Sequence, residues 1–140
     1  VRLTFTATVL AASLLAAGAV GLGAAQTSKA IYAAPQASEG SKIYAANCAS
    51  CHGENLEGGV GPALSGANLR TLAKNTKLTV GDLFQFMALQ MPLNDPASLK
   101  HDQYAQIMAY ILKFNGYPAG AAPLTYDKAM NSTVVMTSSK

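Results

Sequence analysis

Hydrophobic and polar positions change texture several times along this chain. From Leu10 to Ala25 the residues are almost wholly Ala, Leu, Gly and Val, and no charge falls between Arg2 and Lys29. Residues 26–38 hold Gln, Thr, Ser, Pro and Ala without a period and read as a linker. Ser38 is placed to cap a short helix reaching about Asn47, with Glu39 in its first turn and Ile43 and Tyr44 as its apolar side. Gly40, four positions before Tyr44 on the same face, suggests a close helix crossing. Six breakers between Gly53 and Gly66 (Gly53, Gly58, Gly59, Gly61, Pro62, Gly66) exclude regular structure there, and residues 67–78 are weakly helical at best. Thr79 with Asp82 forms a capping-box pattern ahead of Leu83, Phe84, Phe86, Met87 and Leu89, a helix apolar on more than one side. Met91-Pro92 ends it, because Pro disfavours helical geometry in the preceding residue.

The clearest helix begins near Ser98 or Lys100. Tyr104, Ile107, Met108, Ile111 and Leu112 form its apolar stripe, Tyr110 and Phe114 an i,i+4 pair, and Asn115-Gly116 its end. Residues 118–140 are rich in Ala, Ser, Thr and Pro with few anchors, and Val134-Val135-Met136 is too short for a firm strand. Wrapping the domain, tethering it to a larger complex and remaining mobile are the courses open to this tail, and its polarity favours mobility or a partner-bound extended path. The fold class is all-α with long loops. The segments are 1–25 (signal peptide or membrane anchor), 26–38 (linker), 39–117 (the domain) and 118–140 (tail).

Composition narrows the function classes. The 140 residues allow one domain of ordinary size, and only 12% are charged. A formal charge of +3 with scattered lysines lacks the basic stripe of a nucleic-acid binder, so no nucleic acid is expected as a partner. The Gly-rich stretch is not a phosphate loop, since no Gly-Lys-Ser/Thr closes it. Arg2 followed by an apolar stretch resembles an export leader, with Gly23-Ala24-Ala25 or Ser28-Lys29-Ala30 as small residues for cleavage. A retained anchor through residues 3–25 is the rival, because that stretch is long enough to cross a bilayer.

Both cysteines of the chain lie in Cys48-Ala49-Ser50-Cys51-His52. Cys-x-x-Cys-His is the attachment pattern of a c-type haem. Two thiols at this spacing match the two vinyl groups of one porphyrin, and the adjacent imidazole falls beneath the iron as proximal ligand. Three rivals stand beside it. A thioredoxin-like dithiol belongs after a strand in an α/β domain. A zinc site would need Cys48, Cys51, His52 and the isolated His101 together. A structural disulfide would close too small a ring to staple much.

Residues 37–117 resemble the single-haem class I cytochrome c family of bacterial electron carriers. The likeness runs from Gly40-x-x-x-Tyr44 through Cys48-x-x-Cys51-His52-Gly53 and Gly61-Pro62-Ala63-Leu64. It continues with Met91-Pro92 and ends in Ile107-Met-Ala-Tyr110-Ile-Leu112. The resemblance implies a small cytochrome c-like fold of three to five helices around one haem c, bound covalently through Cys48 and Cys51. It further implies a first–last helix contact at Gly40, Tyr44, Ile107 and Tyr110, and a Pro62 carbonyl accepting from the haem-ligand His52. The tail after Pro118 and the apolar front depart from the pattern of a small carrier.

The distal ligand separates electron transfer from gas binding or oxygen chemistry. Met87 and Met108 read as core, Met130 and Met136 lie in the tail, and Met91 stands at a helix end where the chain can cross a ring face. The family's Met-Pro pattern implies Met91 as the iron ligand opposite His52, with Leu64, Leu83, Phe86 and the last helix covering the ring. The resulting expectation is one-electron transfer rather than enzymatic turnover. The alternatives are a haem enzyme or gas-binding protein with an open distal site, for which only Gln85, Gln90 and His101 offer nearby polar groups, or a cytochrome subunit of a dehydrogenase or oxidase complex. The resemblance implies a periplasmic location, free or anchored to the inner membrane. It also implies redox partners such as a periplasmic dehydrogenase, a bc1-type complex or a terminal oxidase. If the leader is removed on export, intact-mass measurement of the purified protein gives a chain lacking 25 to 30 residues; a full-length mass would establish the retained segment.

Overall fold

The computed structural model describes residues 30–136, so the expected signal or anchor segment 1–25 lies outside the described residues. The order of elements is β1 (Tyr32–Ala33), α1 (Ala34–Asn47), α2 (Ala49–His52), α3 (Gly66–Thr76), α4 (Val80–Gln90), α5 (His101–Phe114), β2 (Ala119–Gly120) and α6 (Tyr126–Met130). The expectation of three to five helices becomes six among the described residues, two of them short. No helix among the described residues is long and apolar enough to cross a membrane.

Helix α1 starts a turn before Ser38, with Pro35 in its first turn, so the residues read as linker are helical from Ala34 onward. Pro is suited to that position because its missing N–H would have no intrahelical partner and its φ is already helical. Ser38 makes no cap; its hydroxyl donates back to the Ala34 carbonyl at 3.4 Å. The next difference is α3, which covers most of a segment whose pattern is weak; buried Leu69 and Ala73, four apart, hold it to the core. It ends on Lys77 in the left-handed region, at φ 58°. By contrast, the Thr79 capping box of α4 is present. Thr79 Oγ1 accepts from the Asp82 N–H at 3.0 Å, and the Asp82 carboxylate accepts from the Thr79 N–H at 2.8 Å. The Thr79 hydroxyl, which donates to the Asp82 carboxylate at 2.6 Å, and after it the Thr79 N–H hold this carboxyl below the usual carboxylate range.

The core forms where α1 crosses α5. Tyr104, Ile107, Met108, Ile111 and Leu112 are all buried, as their spacing requires. A Cβ at Gly40 would overlap the Gln106 backbone carbonyl, so the helices approach here to a distance that only glycine permits. Tyr44 and Tyr110 meet beside the crossing with ring centroids 5.3 Å apart, and Tyr110 meets Phe114 edge-on at 6.0 Å.

Residues 117–136 wrap the domain, rather than following the mobile or partner-bound path that the polarity of the tail favours. Gln36 and Leu124 exchange two hydrogen bonds, and β1 pairs in parallel with β2, Tyr32 opposite Ala119. The Tyr32 hydroxyl donates to the Tyr117 carbonyl and the Tyr117 hydroxyl to the Val135 carbonyl, each at 2.8 Å. Helix α6 lies on α4 and α5; Tyr126 meets Phe84 edge-on and stacks face-to-face on His101 at 3.8 Å. Beyond it, Val80 N–H donates to Val134, Gly81 N–H to Ser132 and Met136 N–H to Leu78. Leu124, Ala129 and Met136 are buried. Too few apolar residues mark this segment for periodicity to reveal it.

Substituting Gly40 with Ala is expected to lower the free energy of unfolding by about 3 kcal/mol, because the added methyl meets backbone rather than a side chain that could turn aside. A denaturant titration checks this, and an unchanged midpoint would contradict the close crossing.

Candidate functional site

The site grows from the carboxyl end of α1. Cys48 caps that helix, and after it the chain makes the single turn α2, in which the His52 N–H donates to the Cys48 carbonyl at 3.0 Å. Gly53, at φ 83°, then reverses the direction of the chain. The Tyr44 hydroxyl donates to the Gly53 carbonyl at 2.8 Å, and burial raises this phenol above its ordinary value, so it remains a donor. The residues expected to carry the chemistry therefore sit on one turn fastened to the main helix crossing.

Neither thiol is in a disulfide; Cys48 is half-buried and Cys51 exposed. Burial, with Cys51 nearby as the second cause, pushes the Cys48 thiol up to about 11, so it is neutral at physiological pH. His52 is buried, with Nδ1 2.8 Å from the Pro62 carbonyl. A carbonyl only accepts, so Nδ1 carries the proton and Nε2 keeps its lone pair for a metal. Such an orienting bond fixes the ring and raises the basicity of the ligating nitrogen.

The Gly-rich loop makes this arrangement. The Gly58 N–H donates to His52 O at 2.8 Å, Gly61 N–H to Cys51 O at 2.9 Å and Leu64 N–H to Leu56 O at 2.9 Å. Together they fold residues 53–64 back over the imidazole. A Cβ at Gly61 would lie 2.7 Å from His52 Cε1, so the backbone presses directly on the ring. Leu56, also at positive φ, is fully buried. Asn115, read in the sequence as a helix end, is buried, and its amide donates to Leu64 O and Ile111 O at 2.9 Å each, tying the loop to α5.

Met91 lies at the other side of the sequence pattern, as the C-cap of α4 in extended geometry with a cis bond to Pro92. It is half-buried against the core, whereas Met87 and Met108 are buried within it. Its carbonyl accepts from the Tyr104 hydroxyl at 2.6 Å. Periodicity assigns Tyr104 only to an apolar stripe; a bond to a loop carbonyl thirteen residues away leaves no periodic signal. Of the apolar residues expected to cover a ring, Leu64 and Leu83 are half-buried and Phe86 is 58% exposed. Leu89 and Leu93 are also exposed, at 53% and 78%.

This arrangement fits a covalently held porphyrin. Two free thiols share a turn with an imidazole whose Nδ1 is already committed, and Phe86, Leu89 and Leu93, which flank Met91 in the sequence, leave apolar surface exposed. Among the described residues no three His, Cys, Asp or Glu side chains gather as a metal site, and His101 is occupied by its stack on Tyr126. Cys48, Cys51, His52 and His101 therefore do not converge as the zinc reading requires.

Helical architecture and the Cys-x-x-Cys-His turn together define a c-type cytochrome domain. The family model described as cytochrome c oxidase, cbb3-type, subunit III matches residues 35–111, more than half of the chain. Cytochrome c-552 of Schinkia azotoformans is 58% identical over 38 residues, which are 27% of this chain and 72% of that protein. The chain belongs to the c-type cytochrome family, which implies covalent haem c and haem-based electron transfer. Among solved structures, a chain in the crystal structure of the sulfane dehydrogenase SoxCD from Paracoccus pantotrophus is similar in fold. Its TM-score is 0.52 at 24% identity, and the match covers 75% of this chain and 60% of that one.

Substituting Gly61 with Ala is expected to push the His52 ring off the Pro62 carbonyl and to cost about 1–3 kcal/mol of stability. Thermal unfolding of the haem-loaded protein measures it; an unchanged midpoint would mean that the loop does not press on the ring.

Proposed function

We propose that this chain carries one haem c, attached through Cys48 and Cys51 and ligated by His52 and Met91, and relays single electrons between redox proteins of the bacterial periplasm or the outer face of the inner membrane. The observation that carries this reading is the His52–Pro62 bond. It presents Nε2 of a buried imidazole beside two free thiols on one turn.

Haem bound here supplies an iron couple that changes by one electron. The residues of the chain set its conditions. His52 Nε2 would hold the iron, from a ring that Gly61 and Pro62 keep from rotating. The soft thioether of Met91 would hold the iron and would favour its reduced state more than a second imidazole does. Leu64 and Leu83, half-buried against the core, would supply apolar cover for the ring.

Two of the three polar side chains considered for an open distal site are engaged elsewhere. Gln85 donates to the Met130 carbonyl at 2.9 Å, and His101 stacks on Tyr126. Their engagement favours a carrier over a peroxidase-like enzyme or gas sensor, which needs a steering polar group beside an open iron. The partners on this reading are a periplasmic dehydrogenase or bc1-type complex as donor and a terminal oxidase or another cytochrome as acceptor. The oxidase named in the description of the matching family supports the latter.

Protein matured in a host with a haem-attachment system is expected to be coloured and to keep its pigment in acidified organic solvent. Met91→Ala is expected to lose the methionine-to-iron absorption band of the oxidised protein and to bind carbon monoxide readily when reduced. A colourless product would overturn the cofactor, and a surviving band would overturn Met91 as ligand.

A further inference from the structure

Met91 leaves α4 with its backbone held at both ends. Its N–H donates to Met87 O at 3.0 Å, and its carbonyl accepts both the Tyr104 hydroxyl at 2.6 Å and the Ala97 N–H at 3.3 Å. The same Tyr104 oxygen lies 3.4 Å from the Leu99 N–H, which donates to it. One hydroxyl therefore touches both ends of the 91–99 loop. Inside the loop, Asp95 N–H donates to Pro92 O at 3.0 Å, and Ala97 holds φ 59°, a conformation that favours glycine. A loop with a residue in that region needs outside support to keep one shape.

Tyr104 can give that support because it does not belong to the loop. It stands on the first turn of α5 with its side chain buried, and α5 is locked against α1 at Gly40. The same α1 carries Cys48 and leads into His52. The two halves of the site are thus referred to one pair of helices.

We infer that Tyr104 is a positioning residue for Met91, its hydroxyl gripping the Met91 carbonyl so that the thioether is presented to the iron opposite His52. The inference rests on the proposed Met91 ligation and adds to it the group that maintains it. Tyr104 touches the ligand's backbone and acts through it. Removing the hydroxyl keeps the ring packing, and Ala97 still bonds the carbonyl, so the expected effect is graded rather than total.

The test is displacement of Met91 by added imidazole in the oxidised, haem-loaded protein, followed by loss of the methionine-to-iron band. Tyr104→Phe is expected to lower the half-saturating imidazole concentration about fivefold relative to the parent protein, as the loss of one hydrogen bond favouring the ligated state requires. Tyr32→Phe is the control. It deletes another buried tyrosine hydroxyl bonded to a backbone carbonyl, that of Tyr117, far from Met91 in the chain, and is expected to leave the imidazole titration unchanged while lowering stability. Equal titrations for parent and Tyr104→Phe, or equal shifts in both variants, would overturn the inference and leave Met91 ligation standing. A parent protein without the band, unaltered by Met91→Ala, would overturn Met91 ligation and the inference with it. If Tyr104→Phe does not accumulate folded, NMR of the parent follows the Tyr104 hydroxyl proton. Slow exchange that is lost when imidazole displaces Met91 supports the inference, and exchange that imidazole leaves unaltered overturns it.

Discussion

The close crossing of α1 and α5 at Gly40 is the constraint on which the rest depends. A backbone-to-backbone approach tolerates almost no sliding, since any shift would bring a side chain into the place of a missing one. It therefore fixes the direction in which α1 ends, and with it the orientation of the Cys48–His52 turn. It also fixes the height of α5, and so the position of Tyr104, whose hydroxyl donates to the Met91 carbonyl. Helices that are distant in sequence thereby become a single reference frame for two groups far apart along the chain.

The loop from Gly53 to Leu64 works by a different principle. At Gly61 it carries no side chain, so the backbone itself comes into contact with the imidazole, and the next residue, Pro62, directs its carbonyl at Nδ1. Glycine is needed at position 61 for the space it leaves, and at positions 53 and 58 for the positive φ they hold. The result is an imidazole whose tautomer and orientation are defined by the polypeptide alone. That defined state suits the proposed role of His52 as a ligand whose geometry stays constant between oxidation states.

Residues 117–136 add a third level. They brace the start of α4 through Val134, Ser132 and Met130, close the amino end through Gln36 and Tyr32, and engage Gln85 and His101. The strap thus stabilises the helix that delivers Met91 and at the same time occupies polar groups that would otherwise be free. A short domain has a thin core, and an added strap enlarges the buried surface without a further long helix.

Much of this can be read along the chain, and the reason is locality. The capping box at Thr79, the stripe of α5 and the Cys-x-x-Cys-His turn are interactions between residues a few positions apart, so their spacing states their geometry. Gly40 is also readable, because a glycine on an apolar helical face weakens its helix and is best kept where another backbone comes close. The start of α1, the helix α3, the packed strap, the Asn115 bonds and the Tyr104–Met91 contact are not. Each depends on partners brought together by the fold from distant parts of the chain, or on a few apolar anchors below the threshold of any period. Residue types and their spacing thus specify which groups can do the chemistry. How those groups are held is settled by the folded chain alone, because a hydrogen bond to a backbone carbonyl is indifferent to the identity of the residue that supplies it.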